Sequence, residues 1–226
     1  MLIGAFEVNE SISGLREPVA IATLRPWLDA GSVGTLAIRR LQDALGAREV
    51  GALARPGNFF DFTRYRPTTR FEGDERVFTL PNTRLSVARR GPGPDLLFMD
   101  VMEPHARAED YIDSLAEVLE TAGVKAHWRI GAWFGGVPHT RPLRVNIATG
   151  TGQVDAKTRR PVSRATRYEG PTSIMNLLTT RLETAGIENK SLTLQIPQYV
   201  QIEEDFSAAA AMLEAAGEAL GFAREV

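Results

Sequence analysis

The residues most able to do chemistry in this sequence lie in one short run, Gly135-Gly-Val-Pro-His-Thr-Arg-Pro142. The imidazole of His139 can transfer a proton, and the guanidinium of Arg141 can bind a carboxylate or phosphate through two parallel hydrogen bonds. Gly135 allows a ligand to approach the backbone closely, while the two prolines fix the side chains between them, Thr140 included. The run predicts a loop that lines a concave ligand site; a stiff turn carrying a structural histidine is the alternative.

A second candidate site lies where a predicted strand meets a predicted helix, in the run Asp29-Ala-Gly-Ser-Val-Gly34. Free backbone N–H groups and the helix dipole make such a corner a binding place for anions, with Gly31 and Ser32 as donors. The candidate ligand-binding residues here are Asp29, Gly31, Ser32 and Gly34. The run matches neither the Walker loop nor the G-x-G-x-x-G motif, and a tight turn with close helix–strand packing also explains its glycines.

One acid and two basic side chains complete the candidate set. Glu103 follows an apolar run, and ligands of open parallel sheets bind beyond the carboxyl ends of the strands. Arg64 and Arg66 alternate with aromatic residues, a composition that can stack on a ring or bind an anion. Glu103 and His139 are therefore the acid–base candidates. The alternatives are a helix-start carboxylate or a surface salt bridge for the acid and a subunit interface for the arginines.

Strands and helices alternate along the chain, as they do in α/β proteins. Short apolar runs without clean polar alternation predict strands that are buried on both faces. Amphipathic stretches that end at glycine predict helices, because glycine commonly follows the last helical turn. The predicted strands are 18–24, 95–101, 126–133 and 192–197, and the predicted helices are 34–46, 107–123, 171–186 and 205–221.

This order predicts a single α/β domain over residues 1–226, with a mainly parallel sheet that helices cover on both faces. The first strand and helix with the segment 48–54 suggest a βαβ unit. Residues 76–90 suggest one antiparallel hairpin that turns at Pro81-Asn82.

In a parallel sheet the loops after the strands emerge on one edge, so we expect residues 135–141 to face the Gly31–Gly34 corner and Glu103. In this arrangement Arg141 and the glycine corner hold an anion, and His139 and Glu103 orient or protonate the group attached to it. The alternative is that Arg141 pairs with a neighbouring acid and only locks the loop.

Composition excludes several classes of protein and site. The chain has 26 basic and 28 acidic residues and a net charge of −2, so it lacks the basic excess of a nucleic-acid-binding protein. Cysteine is absent, which excludes disulfides, and the three histidines lack metal-ligand spacing, so we expect neither a metal nor a cofactor. The N-terminus does not read as a secretory signal, and no apolar run is long enough to cross a membrane. We therefore expect a cytoplasmic protein without a nucleic-acid or membrane partner.

Six segments of the sequence carry a family resemblance: WLDAGSVG (27–34), EVGALARPGNFFDFTRYRPTTR (49–70), DLLFMDVMEPH (95–105), GGVPHTRP (135–142), YEGPTSIMNLL (168–178) and AGIENKSLTLQIPQYV (185–200). Taken in order, over roughly residues 18–221, they resemble the family of proteasome assembly chaperone 2 and its bacterial relatives. The Pro-His-Thr-Arg-Pro form is similar to that of actinobacterial members. The resemblance implies a three-layer αβα fold like that of nucleoside phosphorylases and hydrolases, a homo-oligomer, and a protein partner of the proteasome type.

Two classes of function remain open from the sequence. The first is a non-catalytic assembly or ligand-binding protein of this family. The alternative is an enzyme that uses the pocket, either of the nucleosidase or phosphorylase type or an ATP-dependent carboxylate–amine ligase. A Glu103–His139 pair on one rim would favour the enzyme. The run of large aromatic side chains at 58–70 predicts a homo-oligomer interface, because a monomer rarely exposes so many.

Overall fold

In the computed structural model, which describes residues 1–91, 93–149, 152–163 and 169–222, eleven strands form one sheet. Across this sheet the order is β1-β2-β4-β7-β8-β3-β9-β13-β10-β11-β12, and β5 and β6 form a separate hairpin. The strands are β1 (Leu2–Ile3), β2 (Phe6–Val8), β3 (Val19–Arg25), β4 (Arg48–Leu53), β5 (Thr68–Glu72), β6 (Glu75–Thr79), β7 (Arg84–Ala88), β8 (Leu96–Met102), β9 (Ala126–Gly135), β10 (Val145–Thr149), β11 (Gly152–Asp155), β12 (Pro161–Ser163) and β13 (Glu188–Pro197).

Helices cover both faces of this sheet, each through an apolar stripe. α1 (Val33–Ala44) and α4 (Phe206–Leu220) lie together on one face, where their side chains pack against the sheet. α2 (Ala108–Thr121) and α3 (Ile174–Thr184) lie together on the other face. Leu97 and Phe98 of β8 are both fully buried because successive side chains of a strand enter opposite cores. The α/β class, the three layers and the four predicted helices are confirmed.

The four central strands are parallel, and the strands outside them are not. β8, β3, β9 and β13 pair in parallel, as their continuous apolar runs predict. β7, β4, β2 and β1 extend the sheet on one side and β10, β11 and β12 on the other, all by antiparallel pairing. The expectation of a mainly parallel sheet therefore holds for the centre and is wrong for the flanks. The βαβ unit is also wrong, because β4 lies between the antiparallel strands β2 and β7.

The predicted hairpin across Pro81-Asn82 is wrong as well. Residues 75–79 pair with residues 68–72 across a two-residue turn at Gly73-Asp74, where Gly73 has φ +62°. Residues 84–88 instead join the main sheet between β4 and β8. The antiparallel excursion thus consists of a hairpin outside the sheet followed by a strand inside it.

The aromatic run before this hairpin is part of the chain's own core. Phe59 and Phe60 are each only 3% exposed and pack against the buried ring of Tyr111 on α2. Phe62 and Tyr65 are partly buried against the same cluster. The argument that these rings need a subunit interface is therefore wrong, because the chain itself buries Phe59 and Phe60 and partly covers Phe62 and Tyr65. The homo-oligomer stays a prediction without this support.

Candidate functional site

The carboxyl ends of the four parallel strands meet at one edge of the sheet. Arg25 of β3 lies beside Met102 of β8, and Pro197 of β13 lies beside Gly135 of β9. The glycine corner, Glu103 and the loop after β9 all follow these strand ends. The sequence-predicted residues thus share one edge, and their contacts decide which of them come together.

The glycine corner makes a tight turn against the sheet. A Cβ on Gly34 would lie 2.3 Å from Thr23 Oγ1 and 3.1 Å from the carbonyl oxygen of Ile130, so α1 crosses the sheet at backbone distance. Asp29 Oδ1 accepts a hydrogen bond from the Thr35 backbone N–H at 3.0 Å, and Asp29 Oδ2 accepts from the Thr35 hydroxyl. The first turn of α1 therefore already binds a carboxylate, that of Asp29 in the preceding turn, as helix N-termini favour.

The segment after β13 covers the same corner. The Ser32 hydroxyl donates to the Glu203 carbonyl at 2.8 Å, and the Asp205 backbone N–H donates to the Gly31 carbonyl at 2.8 Å. These contacts belong to a tight turn, which is the alternative explanation for the glycines. An external anion at Gly31 and Ser32 stays a prediction.

The loop after β9 is exposed and faces the segment after β13. The His139 backbone N–H donates to the Tyr199 hydroxyl at 2.8 Å, and His139 Nδ1 lies 2.9 Å from the same oxygen. Gly135 packs against the Gln195 side chain of β13. Thr140 and Arg141 are exposed, and no ion pair of Arg141 occurs within the described part of the chain. The loop therefore contacts the β13 side of the edge.

Glu103 holds the start of α3 instead of facing this loop. Its Oε1 accepts a hydrogen bond from the Ile174 backbone N–H at 3.2 Å, while its Oε2 is buried without a partner among the described residues. Burial raises the pKa of this carboxyl group. Ser173, the N-cap residue of α3, makes no side-chain cap hydrogen bond, and the Glu103 carboxylate, directly after β8, serves as the helix-start carboxylate.

Glu103 and His139 are consequently not brought into contact. Glu103 follows β8 and His139 follows β9, with β3 between these two strands in the sheet. Glu103 lines a cavity of about 660 Å³, here called the Glu103 cavity, together with Trp27, Phe60, Arg64 and His105. Arg66 is exposed and does not line it.

A second cavity, here called the Arg129 cavity, is lined by a candidate binding residue that the sequence motifs did not predict. It has a volume of about 630 Å³ and lies on the α2/α3 face of the sheet, between β3, β9, β13 and the start of α3. Arg129 Nη1 donates to Asn176 Oδ1 at 2.8 Å. The signal available in the sequence was a charged residue inside the apolar strand Ala-His-Trp-Arg-Ile-Gly-Ala-Trp. The exposed indole of Trp27 lines both cavities.

The hairpin β5–β6, here called the hairpin arm (residues 68–79), exposes two large aromatic side chains. Phe71 is 64% exposed and Phe78 is 62% exposed. Phe71 lies opposite Arg76 and Thr69 lies opposite Phe78, so both rings stand on one face of the arm. Within the described residues each strand of the arm pairs only with the other.

The described residues contain neither a cluster of metal ligands nor a helix that could span a membrane. No group of three histidine, aspartate or glutamate side chains could hold a metal ion in that part of the chain. No helix found there is long and apolar enough to span a membrane.

Comparisons with known proteins relate the chain to one family. A family model described as the PAC2 family matches residues 23–226. A PAC2 family protein from Streptomyces avermitilis is similar to this chain, with 32% sequence identity, a TM-score of 0.80, and a match covering 90% of this chain and 86% of that one. A proteasome-assembly chaperone homologue from Mycobacterium tuberculosis has 27% identity and a TM-score of 0.78 over 90% of this chain and 85% of that one.

A more distant likeness extends the fold comparison. An archaeal proteasome activator from Pyrococcus furiosus has 18% identity and a TM-score of 0.73 over 96% of this chain and 88% of that chain, which shows the fold alone. No curated protein matches the sequence.

Proposed function

This chain belongs to the PAC2 family, as its motifs predict, and we propose that it is a non-catalytic, chaperone-like assembly protein whose partner is a proteasome-type subunit. The observation that carries the proposal is the hairpin arm, which presents Phe71 and Phe78 to solvent. The similarity to a proteasome-assembly chaperone homologue supports the identity of the partner. Such a partner corresponds to action in the cytoplasm.

The physics of the arm favours a protein partner. An isolated two-stranded hairpin is only marginally stable in water, so it gains from a surface that buries one of its faces. Aromatic and arginine side chains are the types enriched in protein interfaces, and the Arg76 guanidinium lies 5.4 Å from the centre of the Phe71 ring. The outer edges of the arm also carry backbone groups that can pair with an added strand.

The contacts of the acid–base candidates support a role without catalysis. The Glu103 carboxyl group binds the start of α3, and the His139 ring binds the Tyr199 hydroxyl. A proton-transfer pair needs its groups within hydrogen-bond reach of one reacting atom. These two side chains are directed to different partners and serve local structure.

The test mixes the full chain with separately purified proteasome α- and β-type subunits of its host and follows complex formation by native electrophoresis. We expect the wild-type chain to bind these subunits or to accelerate their assembly. The double variant Phe71→Ser, Phe78→Ser should lose this effect while keeping the wild-type melting temperature, because both rings are exposed. Glu75→Ser, on the opposite face of the arm, is the matched control and should behave as wild type.

Two outcomes contradict the proposal. One is the absence of any complex or rate effect with either type of subunit. The other is a wild-type chain whose mass in light scattering is a multiple of 24.8 kDa and falls to 24.8 kDa in the double variant, since the arm would then bind a second copy of this chain.

A further inference from the structure

We propose that the Arg129 cavity binds a small organic anion, a carboxylate or phosphate group on an apolar body, and that Arg129 holds the anionic group. This inference is independent of the proposed function, because the cavity lies on the sheet and the hairpin arm lies outside it. It also differs from the sequence-predicted anion site at Gly31 and Arg141.

The cavity is built by the choice of side chains on neighbouring strands. In the sheet, Ala22 of β3 and Ser191 of β13 lie on either side of Arg129 of β9. Both neighbours are small, so they leave room beside the long arginine side chain. The resulting space of about 630 Å³ falls in the range typical of small-molecule sites.

The guanidinium is the feature that points to an anion. Arg129 Nη1 is bonded to Asn176, whereas Arg129 Nε is buried and has no hydrogen-bond partner among the described residues. No aspartate or glutamate from the described chain lines the cavity, so the arginine is its one charged side chain there. A partly buried charge with no acid beside it in the cavity is costly, and a bound carboxylate or phosphate would supply a direct partner.

The surroundings fix the position of the guanidinium and remove it in part from water. The Asn176 side-chain amide donates to Thr172 Oγ1, which leaves Asn176 Oδ1 to accept from Arg129. Burial lowers the pKa of Arg129, and the charge of Glu183 opposes this effect from outside the cavity. The arginine is therefore held in place and desolvated before any ligand arrives, which reduces the entropy lost on binding.

The rest of the lining suits an apolar body with a few polar contacts. The indoles of Trp27 and Trp133 and the side chain of Met175 provide apolar surface, and the hydroxyl groups of Ser191 and Thr193 provide hydrogen-bonding groups. Trp27 is 60% exposed, so this wall of the cavity reaches solvent and offers an entrance. A flat or branched apolar group with one terminal anion matches this distribution.

The test uses tryptophan fluorescence and thermal shift on the full chain with three probes. Phenylacetate and phenyl phosphate carry the two anionic groups on the same ring, and phenylacetamide is the uncharged counterpart of the first. Two of the three tryptophans line the cavity, whereas Trp128 lies in the core on the opposite face, so binding should change the emission. We expect at least one anion to bind at least about tenfold more tightly than the amide.

Variants separate the cavity from the rest of the surface. Arg129→Met keeps side-chain length without the charge and should weaken anion binding by at least about tenfold. Thr193→Phe narrows the cavity and should abolish binding, which keeps the test decisive if the arginine variant does not fold. Arg48→Met, which removes an exposed arginine of β4 that does not line the cavity, is the control that should bind the probes as wild type.

Binding of phenylacetate alone or of phenyl phosphate alone supports the proposal and identifies the anionic group. The proposal is overturned if neither anion binds up to about 10 mM, or if phenylacetamide binds as well as the anions. Wild-type binding in a folded Arg129→Met variant, or in Thr193→Phe, overturns it too.

Discussion

Several polar side chains of this protein are buried on the central strands, and their hydrogen bonds determine what each can do. His127 of β9 is fully buried, with Nδ1 3.0 Å from Asn189 Oδ1 and Nε2 without a partner among the described residues. Arg129, two residues along the same strand, enters a cavity instead. One face of β9 thus carries a neutral structural histidine and a charged candidate binding residue. Burial disfavours the charged form of both side chains and lowers the pKa of each.

The histidine gives a prediction about pH. Burial lowers the pKa of His127 from 6.5 to about 4, so between these values the unfolded chain binds a proton that the folded chain does not. The free energy of unfolding should therefore fall as the pH drops from 6.5 toward 4, by up to about 3 kcal/mol from this group. Urea unfolding over this pH range measures the loss, and His127→Gln should remove that part of the pH dependence. An unchanged pH dependence in this variant would assign the loss to other groups.

At the scale of elements, the packing of α1 on the sheet depends on one missing side chain. Gly34→Ala would place a Cβ 2.3 Å from Thr23 Oγ1 and 3.1 Å from the Ile130 carbonyl oxygen, and a backbone atom cannot move aside cheaply. We expect this variant to lower the free energy of unfolding by about 1–3 kcal/mol. Chemical denaturation followed by circular dichroism checks this.

The matched control is Gly136→Ala, on the exposed loop after β9, where a Cβ meets nothing within 4 Å. Its free energy of unfolding should stay within about 0.5 kcal/mol of wild type. Equal losses in the two variants would contradict the close-packing explanation for Gly34.

The sequence predicts those elements whose burial leaves a clear pattern of apolar residues. The central strands and the four helices carry apolar patterns that only a covered sheet or an amphipathic helix explains, so their positions were predictable. The outer strands are short or polar, and for β4 and β10 pairing with segments distant in sequence sets the direction, which no local pattern records. The hairpin arm did carry a local signal, because Gly73-Asp74 is a two-residue turn of the type that hairpins use.

The candidate site was predictable to a smaller extent, for a related reason. The shared edge of Gly31, Glu103 and Gly135 follows from parallel strands, but side-chain partners depend on the three-dimensional path of the loops. Glu103 binds the N-terminus of α3, which begins 71 residues later in the chain. Arg129 could not be predicted in this way, because a single charged residue in an apolar strand belongs to no motif whose spacing indicates a function.

At the scale of the whole molecule, one sheet takes strands from residues 2–3 and from residues 188–197. The hairpin arm lies outside this sheet, and its strands are exposed along nearly their whole length. This division supports our proposal of a single domain over residues 1–226 with a surface arm that contributes little to its stability.

Replacing residues 68–79 with Gly-Gly tests this division. Thr68 and Thr79 are directly paired, so a short linker can join the flanking chain without strain. We expect one cooperative unfolding transition and a free energy of unfolding within about 1 kcal/mol of wild type, measured by urea denaturation with fluorescence and circular dichroism together. Two separate transitions, or a collapse of stability, would show that the arm belongs to the folded core.

Trp27 forms a common wall between the Glu103 cavity and the Arg129 cavity. A movement of its indole ring cannot enlarge one cavity without reshaping the other. A ligand that displaces the ring in one cavity therefore alters the affinity of the other cavity for a second ligand. By thermodynamic reciprocity, the second ligand alters the affinity of the first cavity for the first ligand by the same factor. The binding of two ligands at this edge of the sheet would thus be coupled through the side chain of Trp27.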